Sequence, residues 1–292
     1  MVASLPPFVT GPATFKISDA EFEQLRKFIH SHTGIALSDH KRALVYARLA
    51  RRLRHHRLDS FADYYELLTA HDPDGHELVE MINCITTNKT DFFREPHHFK
   101  FLAERVFPEI RARGTGGARR VRLWSAGTAT GEEAYTLAIT VREALPLVEA
   151  WDIRILATDI DTRVLAHAER GEYSWEQAER VPHALLRRYF YQGGGQHAGH
   201  VQVKPALKEL IRFRRLNFMD EPWPMRGLFD VILCRNVIIY FDRPTQRRLI
   251  ERFTEVLRPG GYLILGHSES LIDGGGKLRH MSQSVYQHVE RT

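Results

Sequence analysis

A chain of 292 residues with 43% hydrophobic and 26% charged residues has the composition of an ordinary globular protein of one or two domains. That excludes a mostly disordered chain or a collagenous repeat, and no apolar run reaches the roughly 18–20 residues a membrane-spanning helix needs. The net charge of +5 is mild for this length, but it is unevenly placed. Between Lys41 and Arg57 stand seven Lys/Arg and no acid, while the rest of the first 85 residues is net acidic. Only Cys84 and Cys234 carry thiols, so no disulfide framework exists and the reducing cytoplasm is the expected compartment. The first fifteen residues lack a basic start and contain Pro6, Pro7 and Pro12, which argues against a secretory signal.

Ser18 followed by Glu21 is a capping box that opens a helix over about residues 18–32, stopped at Gly34. Ser38 is placed to cap a second helix over about residues 39–57. Val45, Tyr46, Leu49, Ala50 and Leu53 share one of its faces, and Lys41, Arg48, Arg51, Arg52 and His55 the opposite one. Ser60 caps a third helix with Phe61, Tyr64, Tyr65 and Leu68 at helical spacing. Asp72-Pro73-Asp74-Gly75 makes a turn before a fourth helix over residues 76–85. The basic face reads either as a solvated surface or as a docking face for nucleic-acid phosphates or a Glu-rich protein. No aromatic residues are interleaved on it, which weakens the single-stranded nucleic-acid version.

From residue 121 strands and helices alternate, the pattern of an open, doubly wound α/β sheet with ligands at the carboxyl ends of its strands. Residues 121–124 form a strand, Gly127 to Gly131 a glycine-bounded loop, and 132–145 a helix stopped by Pro146. Further strands cover 153–158, 211–216, 229–234, 262–265 and 284–289. The apolar run 229–234 is that of a strand buried on both faces, and a helix fills the stretch from Asp242-Arg243-Pro244 to Pro259-Gly260. About forty residues separate Gly171 from Ile211, far more than an ordinary link. Within them 185–191 reads as helix and 200–204 alternates like an exposed strand. Two readings stand there: an inserted subdomain with a free edge able to accept a peptide, or a purely structural excursion.

The loop Gly127-Thr-Ala-Thr-Gly131 has neither the spacing of a dinucleotide fingerprint nor the Gly-Lys-Ser/Thr of a P-loop. It brings Glu132 and Glu133 to a helix start, where they would repel a pyrophosphate but suit an ammonium and a sulfonium. Asp159, closing the next strand, can accept two hydrogen bonds from a ribose diol. A nucleoside without phosphate is favoured, with S-adenosylmethionine the leading candidate. Glu133 can also be read as a capping box with Thr130, and Asp159 as the N-cap of the following helix.

Five segments then occur in order: Thr86-Thr-Asn-Lys-Thr-Asp-Phe-Phe-Arg-Glu95, Trp124-Ser-Ala-Gly-Thr-Ala-Thr-Gly-Glu-Glu133, Ala157-Thr-Asp-Ile-Asp161, FDVILCRNVIIYFD over residues 229–242, and Gly266-His-Ser-Glu269. Together they closely resemble the chemotaxis receptor glutamate O-methyltransferases, the CheR family, over about residues 18–290. The resemblance implies a Rossmann-like methyltransferase domain over 89–292 with a small inserted β subdomain at about 171–211, preceded by an all-helical receptor-docking domain over 1–88. It implies S-adenosylmethionine as cofactor, S-adenosylhomocysteine as product, and glutamyl methyl esters on chemoreceptors in sensory adaptation. By matching position, Asn88, Thr90 and Arg94 reach the cofactor or reacting centre, with Gly127 in the first loop. Glu133 and Asp159 hold the methionine ammonium region and the ribose. Asn217-Phe218 and Arg235-Asn236 line the adenosine and methyl-bearing parts, and Tyr240 faces the incoming carboxylate. Arg48, Arg51 and Arg52 face the cytoplasmic helical region of the receptor. In some members the inserted subdomain also grips a receptor C-terminal peptide.

A glutamate oxygen, with a reference pKa of about 4.3, needs no general base at neutral pH. Arg94 and Tyr240 are therefore expected to position groups rather than move protons. A nucleic-acid methyltransferase is the main rival reading; its Asn/Asp-Pro-Pro-aromatic signature is replaced here by Arg235-Asn-Val-Ile-Ile-Tyr240. A non-catalytic cofactor sensor is a second, opposed by the intact motif residues. No metal site is expected: His97 and His98 should face different directions, and His76-Glu-Leu-Val-Glu80 lacks a second histidine.

Overall fold

The computed structural model describes residues 15–114, 119–145, 150–271 and 276–290, in two compact units. Pro146, residues 274–275 and the first fourteen residues, all used in the reading of the sequence, lie outside the described part.

The first unit comprises the described residues up to Ser31 together with Leu37–Ile85. It holds α1 (Asp19–Thr33), α2 (Arg42–His56), α3 (Phe61–Ala70) and α4 (His76–Ile85). The Ser18–Glu21 capping box is present, with Glu21 N donating to Ser18 Oγ and Ser18 N to Glu21 Oε2. Ser60 and Asp63 form a second box at the start of α3. Ser38 makes no side-chain cap; Asp39–Lys41 is a 3-10 turn, and the α-helical bonds begin only at Arg42. Val45, Leu49, Ala50 and Leu53 of α2 are buried, as its apolar face requires.

The second unit comprises His32–Ala36 and the described residues from Thr86 onward. A strap over residues 86–95 leads into α5 (Pro96–Phe101), which passes through a π turn (Leu102–Val106) into α6 (Phe107–Gly114). Next come β1 (Arg120–Ala126), α7 (Glu132–Ala144), β2 (Asp152–Asp159) and α8 (Thr162–Arg170). The insertion holds β3 (Glu172–Ser174), α9 (Trp175–Ala178), α10 (His183–Tyr189), β4 (Phe190–Gln192), β5 (His200–Val203) and α11 (Pro205–Lys208). The chain then returns through β6 (Ile211–Arg215), β7 (Phe229–Cys234), α12 (Arg243–Val256), β8 (Leu257–Leu265), β9 (Leu278–Ser282) and β10 (Val285–His288).

The main sheet has seven strands in the order β6-β2-β1-β7-β8-β10-β9. The first five are parallel and the last two antiparallel. The chain winds outward from β1 to β2 and β6, then returns to β7 beside β1, so the order reverses between β1 and β7. That switch point is where a doubly wound sheet opens a crevice. Trp124 of β1 is fully buried, its ring packed 5.2–5.3 Å from Trp223, Phe229 and Phe253, which fixes the strand just before the first loop.

Three details depart from the sequence reading. The stretch 200–203 is not a free edge: β5 is the central strand of a separate antiparallel sheet β3-β5-β4, with both its sides paired. Its alternation reflects one face on the core, with Val201 and Val203 buried, and one face in solvent. The helix after Pro244 ends at Val256 instead of Pro259, and β8 runs straight through Pro259-Gly260. Strand β9 had no signal, because its sequence Leu-Arg-His-Met-Ser is largely polar.

Candidate active site

The parallel strands β1, β2, β7 and β8 end at one edge of the sheet, and the turns that follow them carry the motif residues. After β1, the N–H groups of Gly127 and Thr128 both donate to the Thr158 carbonyl (2.8 and 2.9 Å). This double bond turns the loop over the end of β2. Gly127 has φ +86°, and a Cβ there would stand 2.4 Å from Val237 Cγ2, so only glycine fits. Ala129, itself at φ +49°, donates its N–H to Asp159 Oδ2 (2.9 Å), and Asp161 N donates to Asp159 Oδ1 (3.0 Å). Asp159 is buried, and that burial pushes its carboxyl up to about 6 against the pull of these backbone donors.

The helix cap considered for Asp159 falls to Asp161, whose Oδ1 accepts from Arg163 N and Val164 N (2.8 and 3.3 Å). The other oxygen of Asp161 accepts from Thr86 Oγ1 (2.8 Å) and Asn88 Nδ2 (2.6 Å). One carboxylate thus starts α8 and holds the strap to the end of β2. Further along, Phe92 anchors the strap, its ring 4.9 Å from Tyr173 and 5.7 Å from Phe190 of the insertion. Thr90 and Arg94 lie half-buried on the strap between and beyond these two fixings. Arg94 Nη1 donates to the Lys89 carbonyl (2.9 Å), so its guanidinium folds along the strap instead of pairing with Glu95.

Arg235, just after β7, is buried and central. Its Nη1 donates to Glu133 Oε2 (3.0 Å), and its Nη2 donates to Glu95 Oε2 (3.2 Å) and to the Arg94 carbonyl. Ser125 Oγ donates to the second oxygen of Glu133 (2.7 Å). Burial pushes the Glu133 carboxyl above its ordinary range, with Arg235 opposing. Glu95 lies nearer solvent; burial would raise it too, but Arg235 and the N–H of His267 hold it below the usual range. The capping box considered for Glu133 and Thr130 does not form: α7 opens at Gly131 without a side-chain cap, and Thr130 Oγ1 donates to Glu132 Oε2 (2.6 Å). Asn236 sits at φ +58°, and Glu269 braces this turn by accepting from the N–H groups of Asn236 (2.8 Å), Gly266 (2.6 Å) and Ile239 (3.2 Å). Tyr240 ends the turn half-buried, its carbonyl accepting from Ala36 N (2.8 Å).

Not every expected residue points at this edge. The ring of Phe218 belongs to the core, 5.6 Å from Phe253 and 6.0 Å from Trp223. The Asn217 amide donates to the His32 carbonyl and accepts from Met219 N (3.0 Å). Any cofactor contact at this pair is left to the backbone. The sequence gives Asp161 and Glu269 no functional role of their own, although both lie in the motif segments. An Asp standing directly before a helix start is the available signal for the first. His97 and His98 do not diverge: their ring centroids are 4.1 Å apart, and burial pushes His98 down to about 4. Among the described residues no group of three His, Cys, Asp or Glu is placed to hold a metal.

The family model described as the CheR methyltransferase SAM-binding domain matches residues 88–287, and that of the CheR all-alpha domain matches residues 20–86. The chain belongs to the CheR methyltransferase family. It is 42% identical over 286 residues to chemotaxis protein methyltransferase 2 of Pseudomonas aeruginosa, covering 98% of this chain and 99% of the relative. It is also 43% identical over 270 residues to the chemotaxis protein methyltransferase of Klebsiella aerogenes (92% and 90%) and 41% identical over 271 residues to that of Escherichia coli K12 (92% and 91%). As a CheR protein it is a chemotaxis methyltransferase whose cofactor is S-adenosylmethionine.

The site fits such a cofactor. Its first loop offers backbone turned by Gly127 and Ala129, a carboxylate at the end of β2, and the buried Thr128 hydroxyl with no partner of its own. No basic side chain stands in that loop to attract a pyrophosphate. The acidic charge of Glu133, however, is already answered by Arg235.

In the first unit, the three arginines expected to face a partner separate. Arg51 is exposed, while Arg48 is half-buried and donates to the Ile85 carbonyl (2.5 Å). Arg52 does not belong to a solvated face. Its guanidinium donates to both oxygens of Glu77, which is 6% exposed and also accepts from Tyr64 Oη (2.6 Å). Burial acts to raise the Glu77 carboxyl, but Arg52, Tyr64 and His56 together hold it below its usual range. Replacing Arg52 by Glu should therefore lower stability by about 3–5 kcal/mol, by stranding a buried charge. Replacing Arg51 by Glu should change it by less than about 0.5 kcal/mol. Urea unfolding of both variants distinguishes the roles; equal midpoints would return Arg52 to the exposed stripe.

Proposed function

We propose that this CheR protein transfers the methyl group of S-adenosylmethionine to glutamate carboxylates in the cytoplasmic helical region of chemoreceptors. The observation that carries the reading is the state of the acidic groups at the strand ends. Glu95, Glu133, Asp159, Asp161 and Glu269 each accept two or more hydrogen bonds from the chain itself. They build walls, and Glu132 beside them is buried and takes the Thr130 hydroxyl, so among the described residues none of these carboxylates stands open as a general base. Such a site suits a nucleophile that arrives already ionised, as a glutamate does at neutral pH.

The bound cofactor supplies an electrophilic methyl group on a sulfonium. The chain's part is orientation, which can lower a barrier by roughly 7–11 kcal/mol. Asp159 would accept from the ribose hydroxyls, Gly127 and Thr128 would meet the cofactor through backbone and hydroxyl, and Asn236 would flank the methyl-bearing end. Asn88 acts through Asp161 by setting the strap, and so places Thr90 and Arg94. Arg94 and Tyr240 would align the incoming carboxylate without taking its proton. The Arg235–Glu133 pair keeps the floor of the site rigid and electrically balanced. The first unit, through exposed basic residues such as Arg51, would engage the receptor, and the insertion would hold a receptor C-terminal peptide at an edge strand, β3 or β4.

Labelled S-adenosylmethionine, incubated with the protein and receptor-containing membranes, should label a receptor-sized band whose methyl groups are released by base. Label confined to nucleic acid would overturn the reading. A second measurement concerns Asp159. A ribose diol binds its ionised form, so cofactor affinity should fall as pH drops through about 6 and carboxylate is lost. Asp159→Asn should bind more weakly and lose that pH dependence. Calorimetry from pH 5 to 8 reads both, and an unchanged profile would remove Asp159 from the ribose role.

A further inference from the structure

The opposite edge of the main sheet carries a concentration of charge that methyl transfer does not use. Here the parallel strands begin. Asp230 of β7 accepts from Arg258 Nη1 (2.6 Å) and from Arg122 N (2.8 Å), and Arg113 of α6 lies 3.5 Å away. Asp152, opening β2, pairs with Arg122 and Arg154. Arg120 opens β1, its Nη2 only 4.0 Å from where a Cβ on Gly227 would stand, next to Arg226. Arg119 is exposed beside them, its carbonyl accepting from Asp152 N (2.8 Å). Among the described residues seven arginines thus share one edge with two aspartates, and the side chains of Arg113, Arg154 and Arg258 remain 43–56% exposed despite their ion pairs. Arg119, Arg120 and Arg226 are exposed and make no salt bridge among the described residues. Amid them Leu228 stands 49% exposed.

We propose that this arginine-rich edge is a docking surface for an anionic lipid bilayer. Guanidinium groups pair bidentately with phosphate, and clusters of four to eight basic residues are what an anionic membrane surface attracts. One exposed leucine among arginines suits the boundary between headgroups and acyl chains. It is too little apolar area for the core of a protein interface. Among the described residues no exposed aromatic ring accompanies the arginines, as single-stranded nucleic acid would require, and Trp151 beside Asp152 packs against the core. Because the edge lies at the far end of the strands from the motif turns, docking would leave the methyl-transfer site open. The inference is independent of which side chain receives the methyl group.

The full chain should co-sediment with vesicles of phosphatidylcholine and phosphatidylglycerol but not with phosphatidylcholine alone, and added salt should release it. Reversing Arg119, Arg120 and Arg226 to Glu should weaken that binding by at least about tenfold, with the thermal midpoint and methyl transfer to a soluble receptor fragment unchanged. Arg226→Glu alone, in the loop before β7, should give a smaller loss and covers the case in which the triple variant fails to fold. No vesicle binding by the wild-type chain would overturn the proposal. So would retention of RNA or an acidic protein in its place, or equal loss in an Arg51→Glu/Arg54→Glu control, which would move the charge effect to α2.

Discussion

Replacing Arg235 by methionine is expected to abolish measurable methyl transfer and to lower the stability of the second unit by about 3–5 kcal/mol. The side chain is 2% exposed and answers two acids, Glu133 from α7 and Glu95 from the strap, besides the Arg94 carbonyl. Its loss leaves two carboxylates in a site that desolvates them, and frees the strap end that carries Arg94. Lysine would not restore the arrangement, since one ammonium cannot reproduce a planar fork reaching three acceptors on two segments. Guanidinium unfolding and single-turnover transfer check the two effects. Adding Glu133→Gln to the methionine variant should return part of the stability while activity stays low, because it removes one stranded charge without rebuilding the floor. A methionine variant as stable as wild type would show that the carboxylates bear burial without Arg235, and the balanced-floor argument would fall.

The second large effect is expected at Asp161. Alanine removes the cap of α8, a loss of about 0.5–2 kcal/mol, together with both hydrogen bonds that tie Thr86 and Asn88 of the strap to it. Asparagine separates these roles. Its oxygen can serve the N–H groups of Arg163 and Val164 or the donors of Thr86 and Asn88, but not both sets. With the helix capped, its amide would confront the Asn88 amide. Asp161→Asn should then keep near-normal stability while transfer falls by about a hundredfold, the scale of a displacement near one ångström in a positioning residue. A raised KM for the cofactor at unchanged thermal midpoint is the signature. Normal kinetics in Asp161→Asn would mean that Phe92 alone suffices to place the strap.

Much of the site was legible as motif. Gly127 and Asp159 lie where a strand–turn–helix reading puts them, at the ends of β1 and β2, because a parallel sheet brings successive carboxyl ends to one edge. The partners of charged side chains were not legible. Glu133 read as an acid for an ammonium, yet its nearest cation is Arg235, a hundred residues on. Arg52 read as one of a row on a helix face, yet Glu77 on another helix draws it inward. Periodicity reports which way a side chain leaves its own element and says nothing of what waits opposite. The strand 200–203 shows the same limit, since alternation marks one buried face whether the strand lies at the edge or the centre of its sheet.

Composition, helical and strand periods, capping boxes and the positions of turns determined the helical first part and the doubly wound sheet, because each is written in local chemistry, and the motif segments taken together carried the cofactor. The tertiary structure alone decided which acid meets which base, that one aspartate serves both a helix and a strap, and that arginines scattered from residue 113 to 258 share one edge. Those depend on pairings between segments far apart in the chain, where desolvation makes every buried charge seek the one neighbour able to answer it.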